Sequence, residues 1–272
     1  MPVAAHATRP LSESSPAIAN GPSWILPEPG NTMEAVRLFR KQRLAAGIRL
    51  FAQYGFDYGP AGHITVRDPE WTDHFWINPL GVYFGHVRVS DLLLVDHQAT
   101  VVQGNKPVNL AGFQIHSAIH KVRPDVISVA HSHSTYGKAW STLGRVLDPL
   151  TQDSAAYYQF QALSAFTGIV LEADQAQKLV RDLGDKKYAI LQNHGFLTAE
   201  LSVESAVWHF IALENAAHTQ LLAEASASKP IVLSYEVASK IAGEFQRIPD
   251  GGRYAFQPLY DRIIREQPDL LN

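Results

Sequence analysis

The segment Val126-Ile127-Ser128-Val129-Ala130-His131-Ser132-His133 decides the reading of this chain: an apolar run that ends on two histidines one residue apart. Val126 to Ala130 reads as a buried strand. Pro124, just before it, stops the helical pattern of Ala111 to Val122, in which Phe113, Ile115, Ile119 and Val122 are apolar. Strand side chains alternate with period two, so His131 and His133 project from the same face. Further on, Thr135–Leu143 has helical character, Ala173–Leu183 follows acidic residues and stops at Gly184, and Tyr188–Leu191 is another core strand. Val203–Ala225 and Tyr235–Gln246 are two strong closing helices, so strands and helices alternate as in α/β layering.

Working back toward the start, Asn31 with Glu34 three residues on makes a capping-box-like beginning for a helix to about Tyr54, and Gly55 ends it. From Gly62 to Val102 short apolar clusters (Ile64–Val66, Phe75–Ile77, Leu92–Val95, Thr100–Val102) are separated by Gly, Pro and Asp, which is strand and turn punctuation. Residues 1–30 are rich in Ala, Pro and Ser and lack the basic start and apolar stretch of a secretory signal, so they read as a flexible arm before one domain, 31–272.

Composition narrows the function classes. Of 272 residues, 46% are hydrophobic and 18% charged, the balance of a globular protein. Lys+Arg 23 against Asp+Glu 26, with no basic block, gives no electrostatic footprint for nucleic acid or an acidic membrane surface. The apolar runs fall far short of the ~20 residues that cross a bilayer. With no cysteine, disulfides and thiolate ligands are excluded and a reducing, cytoplasmic setting is expected. Any metal must then sit on His, Asp or Glu.

A catalytic metal site commonly uses three protein ligands and keeps a position open. His194, in Leu191-Gln192-Asn193-His194-Gly195 just beyond a core strand, is the candidate third ligand beside His131 and His133, with Gly195 free to make a sharp turn. Spacing alone leaves two alternatives, one site assembled from distant pieces or separate histidines among the 12 in the chain.

Six motifs resolve the choice by resemblance: Gly62-His63-Ile64-Thr65-Val66-Arg67, Ile77-Asn78-Pro79-Leu80-Gly81, His116-Ser117-Ala118-Ile119-His120, Arg123-Pro124-Asp125, His131-Ser132-His133 and Gln192-Asn193-His194-Gly195. Together, over about Glu34 to Ala225, the chain resembles the class II aldolase/adducin superfamily. The resemblance implies an α/β, three-layer fold with a central, mainly antiparallel sheet flanked by helices. It also implies that His131, His133 and His194 hold one divalent metal, zinc first with Mn, Fe or Co as alternatives, and that the enzyme is a homotetramer with sites near subunit interfaces.

The same comparison marks departures. Where the sugar-phosphate aldolases of the family carry an acid/base Glu, four residues before the histidine matching His116, this chain has Gly112. Their phosphate-binding residues correspond to Leu110-Ala111, Leu80-Gly81 and Gly62-His63, and burying a dianion without polar partners costs several kcal/mol. The position of their proton-donating Tyr, supplied by a neighbouring subunit, falls near Asp153. The expectation is therefore a metal-dependent carbon–carbon lyase on a small unphosphorylated hydroxy- or keto-acid, decarboxylase-like ahead of aldolase-like, with Asp153 as a proton-handling group and His63 as a partner for a substrate carboxylate.

Two other functions share the scaffold. Three histidines with open positions also suit a non-haem iron oxygenase. A non-catalytic adducin-like cytoskeletal binding domain fits less well, since such domains lack the complete triad and this chain has no long basic tail. The remaining groups have structural readings: His116 and His120, one helical turn apart, as helix packing ahead of a second metal pair; Tyr157 and Tyr158 as packing; Arg67 and Arg123 as anchors of a local ion pair or the sheet edge.

Overall fold

The computed structural model describes residues 26–168, 173–248 and 250–272. Most of the expected arm, residues 1–25, lies outside the described residues. Its last part is tethered: Arg253 donates to the Glu28 carboxylate and to the Pro27 carbonyl, both at 2.9 Å.

Strands β1 (Gly62–Arg67), β2 (Phe75–Ile77), β3 (Leu93–Val95), β4 (Val101–Gln103), β5 (Ser128–Ser132), β6 (Gln161–Ser164), β7 (Tyr188–Leu191) and β8 (Gly195–Glu200) form one sheet in the order β4-β3-β2-β1-β5-β8-β7-β6. Every pairing is antiparallel except β6 with β7. The helices are α1 (Met33–Gln53), α2 (Leu110–Val122), α3 (Thr135–Ser141), α4 (Gln152–Ala155), α5 (Ala173–Leu183), α6 (Val203–Glu224), α7 (Tyr235–Gln246) and α8 (Gly252–Glu266). The expected flanked, mainly antiparallel sheet is present. No helix among the described residues is long and apolar enough to cross a membrane.

The layers follow from side-chain alternation along the strands. Ile64, Val66, Ala130, Ile190 and Phe196 face one way and pack with Leu44, Ile48 and Phe51 of α1, Val207 and Phe210 of α6, and Phe256 and Ile263 of α8. Val129, Ala189, Leu191, Leu197 and Ala199 face the other way, against Ile115 and Ile119 of α2 and Leu179 and Leu183 of α5. Each fully buried Leu, Ile or Phe contributes about 1.5–3 kcal/mol, so these two apolar layers carry the fold.

Several elements differ from expectation. Helix α1 is capped by Thr32, whose hydroxyl accepts from the Ala35 N–H at 3.2 Å, one residue after Asn31. Strand β5 runs two residues further along than Val126–Ala130 and takes in His131. Strand β8 begins at Gly195 itself, where a turn alone was expected. Strand β6 is a four-residue strand at the sheet's end whose side chains alternate between buried and open, leaving almost no hydrophobic signal. The chain closes with a third helix, α8, whose internal Pro258 hides it from a pattern reading.

At the N-terminal edge of the core, Asp68 is fully buried. Burial alone would raise its pKa, but the Arg37 guanidinium, the N–H groups of Trp71 and Glu70 and the Trp76 indole all donate to it and hold it down to about 2. A carboxylate depressed in the folded state stabilises the fold above its unfolded pKa, about 3.8, and that contribution disappears as pH falls through about 2. Urea unfolding of Asp68→Asn is expected to show a loss on the order of 2 kcal/mol at pH 7, with the gap to the parent protein closing between pH 4 and pH 2. A gap that stays constant across that window would show that the charge contributes nothing.

Candidate metal centre

The site begins with a strand pair. Antiparallel pairing of β1 and β5 sets His63 directly opposite His131, with their ring centroids 5.2 Å apart. His131 is buried, and its Nδ1 lies 2.7 Å from the Phe196 carbonyl. A carbonyl only accepts, so Nδ1 carries the proton and Nε2 presents its lone pair, the arrangement that orients a metal-ligating imidazole. His133 follows just past the end of β5.

His194 sits in the tight β7–β8 connection, where Asn193 has φ 56 and Gly195 φ 154. A side chain at Gly195 would also meet the Ser132 carbonyl at 2.9 Å, so glycine is required both for the backbone angle and for the close approach of β8 to β5. The rings of His131, His133 and His194 stand 4.6–5.3 Å apart, and one nitrogen from each lies within 4.8 Å of the other two.

Two groups not anticipated from sequence hold this geometry. Glu214 on α6 is buried and accepts from the Ser134 hydroxyl and from the Tyr136 and Gly137 N–H groups, all at 2.7 Å, which fixes the turn from His133 into α3. At the other end of α3 the Ser141 hydroxyl accepts from the His194 N–H at 3.1 Å, and the Ser141 carbonyl from the Asn193 N–H at 3.2 Å. One short helix thus clamps both loop ligands. Glu214 lies eighty residues from Ser134, and no local pattern connects them.

The three histidines fit a divalent ion. Burial first, then the neighbouring imidazoles, pulls His131 well below the usual histidine range; burial and His133 bring His194 down to about 4; burial and Lys138 lower His133. All three are neutral at pH 7, the form that donates a lone pair. The ring nitrogens of His133 and His194 have no hydrogen-bond partner among the described residues, so both are free to turn toward a common centre.

His63 explains Gly112. A side-chain Cβ at residue 112 would lie 2.0 Å from His63 Cδ2 and 2.2 Å from Nε2, so the imidazole fills the space that a side chain on α2 would take. The two departures at His63 and Gly112, separate in the sequence, are one exchange in the structure. His116 and His120 are no second metal pair: each of their ring nitrogens meets a protein group. Of the two readings for Arg67, a local ion pair or the sheet edge, no ion pair of Arg67 is present among the described residues; at the end of β1 it instead donates to the carbonyls of Thr72, His120, Arg123 and Val126, whereas Arg123 pairs with Asp125.

Asp153 is elsewhere. It is exposed in the first turn of α4 and lines a cavity of about 540 Å³ with Tyr54, Tyr157, Trp208 and Glu214, none of them a ligand histidine. A smaller cavity of about 320 Å³ is lined by Gly62, the residue before His63, and His194 itself lines a narrow one of about 20 Å³ with Ser164, Phe166 and Gln192. The wall of the first of these, which includes Asn78, Leu80, Val82, Tyr83 and Phe84, contains no charged side chain.

The family model described as Class II Aldolase and Adducin N-terminal domain matches residues 42–221. The chain belongs to this family. It is similar to "Decarboxylase NovR" of Streptomyces niveus, 39% identical over 262 residues that cover 94% of this chain and 96% of the relative. It is also similar to "4-hydroxy-3-prenylphenylpyruvate oxygenase/4-hydroxy-3-prenylbenzoate synthase" of Streptomyces roseochromogenus subsp. oscitans, 38% identical over 263 residues, with 94% of each chain covered. Among solved structures, L-fuculose 1-phosphate aldolase from Glaciozyma antarctica PI12 superposes with a TM-score of 0.81 at 44% identity, covering 90% of this chain and 96% of that one. Class II aldolases use a divalent metal, and the histidine triad is intact in this member.

Two outcomes are expected. Elemental analysis of protein purified without chelator should find one metal per chain, lost in His133→Ala and in His194→Ala; full retention in either variant would remove that residue from the ligand set. Gly112→Ala, which in an open helix position gains about 1 kcal/mol, is expected to cost about 1–3 kcal/mol because it overpacks against His63. In a His63→Ala background the same substitution should become neutral or stabilising, and equal costs in both backgrounds would show that the two positions do not share that space.

Proposed function

We propose that this chain is a metal-dependent carbon–carbon lyase that decarboxylates a small, unphosphorylated hydroxy- or keto-acid. The observation that carries the reading is the His63 ring in the space of residue 112, beside a complete histidine triad. A retro-aldol cleavage needs a base that deprotonates a hydroxyl, and the family's aldolases use the carboxylate at the position of Gly112 for it. Decarboxylation needs no such base where a carbonyl stands β to the carboxylate: the bond to the carboxylate carbon breaks, CO2 leaves, the electron pair moves into that carbonyl to give an enolate, and a proton later returns to the carbon that lost CO2.

A divalent cation on His131, His133 and His194, zinc first with Mn, Fe or Co as alternatives, would supply Lewis-acid charge next to the substrate oxygens. His63 is placed to hydrogen-bond the substrate carboxylate or that carbonyl oxygen. The uncharged cavity lined by Gly62 suits an apolar or aromatic arm better than a phosphate, since a dianion there would be desolvated without a cation. Asp153 returns the proton to carbon only if a neighbouring subunit brings it to the site, because within one chain it faces a different cavity. A homotetramer with sites at its interfaces meets that requirement. The decarboxylase name of one relative and the aryl keto-acid in the name of the other support the substrate class.

The second relative's name also favours a second reading, a non-haem iron oxygenase on the same three histidines. Anaerobic incubation of metal-loaded protein with a panel of aryl and aliphatic hydroxy- and keto-acids separates the two. The lyase releases CO2 without oxygen and loses that activity with chelator or in His194→Ala by 100-fold or more. Release that requires oxygen uptake by ferrous protein establishes the oxygenase, and neither CO2 nor substrate loss under any condition removes both.

A further inference from the structure

An unbroken run of side chains leads away from the triad between β1 and α2. His63 Nδ1 lies 2.9 Å from His116 Nε2, and His116 Nδ1 lies 2.8 Å from the Thr65 hydroxyl. That hydroxyl lies 2.8 Å from His120 Nε2, and His120 Nδ1 lies 3.3 Å from Arg67 Nη2. All five side chains are buried. Burial, reinforced by like-charged neighbours, keeps the three imidazoles neutral, so each carries one proton.

Neutral imidazoles joined through one hydroxyl have two self-consistent directions of donation, and the end of the run decides between them. A guanidinium has only donors, so the His120 nitrogen facing Arg67 must offer its lone pair. The Val126 carbonyl is also within reach of His120, but it accepts from Arg67 Nε at 3.2 Å and Nη2 at 3.1 Å, and a ring N–H turned toward it would face the guanidinium cation as well, which favours the lone pair on that side. The remaining protons then have one arrangement: His120 Nε2–H donates to Thr65, the Thr65 hydroxyl to His116 Nδ1, and His116 Nε2–H to His63 Nδ1.

We propose that Arg67 is a positioning residue that, through His120, Thr65 and His116, holds His63 in its Nε2–H tautomer, so that His63 presents a hydrogen-bond donor beside the triad. His63 Nε2 has no hydrogen-bond partner among the described residues and is left for a ligand. Resting on the lyase reading, the ligand group is an anionic oxygen, the carboxylate or the oxygen that gathers charge as CO2 leaves. With its lone pair turned inward, His63 is neither a fourth metal ligand nor a general base. Arg67 does not give up a proton, so the run orients His63 and does not resupply it.

The test is the tautomer itself, read from long-range ¹H–¹⁵N correlation spectra of the full-length chain labelled with ¹⁵N-histidine, metal-free and zinc-loaded, with the His63 signals assigned by their loss in His63→Gln. A pyrrole-type shift at Nε2 and a pyridine-type shift at Nδ1 are expected. The reverse pattern, or averaged shifts at both nitrogens, would overturn the proposal. Arg67→Met tests the source directly but removes four carbonyl anchors, so Thr65→Val, which keeps the side-chain shape and cuts the run, is the second variant. In it the His63 shifts should move to an averaged pair while those of His131 stay in place, and an unchanged His63 would again overturn the proposal. Expected shifts in a protein that turns over no acid would retain this proposal and remove the lyase reading; reversed shifts in an active lyase would do the opposite.

Discussion

The pairing of β1 with β5 is the constraint from which the site follows. It places His63 across from His131 and turns both toward α2, while the residues between them, Ile64 and Ala130, turn toward α1 and α6. One strand pair therefore serves two purposes with a single alternation. Its apolar face supplies the drive to fold, and its polar face carries the chemistry. A register slip of one residue would exchange the two, burying imidazoles in hydrocarbon and opening the core, so the energetics of the fold and the placement of the ligands protect each other.

The polar face is costly ground, because a buried donor or acceptor without a partner loses about 1–3 kcal/mol. The protein meets that cost by satisfying nearly every group. Thr65 joins two histidines, Arg67 gathers carbonyls from the last turn of α2 and the loop after it, and Glu214 takes three donors at the start of α3. Among the described residues, Arg43 Nε and Glu200 Oε2 are the side-chain atoms wholly sealed from solvent without a hydrogen bond, and each lies within ion-pair distance of an opposite charge. Such saturation makes a rigid frame for three histidines that come from two distant stretches of chain.

Much of this was legible in the sequence. The apolar run into His131 and His133, the turn at His194 and the helical periodicities of α2, α5, α6 and α7 are local patterns, and local patterns survive without coordinates. Three kinds of feature did not. Strand β6 is too short and half-open to show a period, and α8 contains a proline that ordinarily ends a helix. Strand β8 was hidden by Gly195, which reads as a turn and is also the first residue of a strand. Long-range partnerships, such as Glu214 with α3 or Arg67 with the carbonyls after α2, have no sequence signature, because a carboxylate on a helix looks alike whether it faces water or caps another helix. His63 and Gly112 were each visible as departures from the aldolase pattern, but their complementarity is a matter of volume, and volume is shared only in three dimensions.

The packing of His63 over Gly112 also constrains the order in which such a site can change. A histidine at 63 and a side chain at 112 compete for one space, since the two would lie about 2 Å apart. From a carboxylate-bearing aldolase site, the less strained mutational order to this one loses the side chain at 112 first, leaving the three histidines beside an open space. That intermediate keeps the histidine triad and has neither partner group. It is a permissive state, from which different reactions can be reached by what next fills the gap.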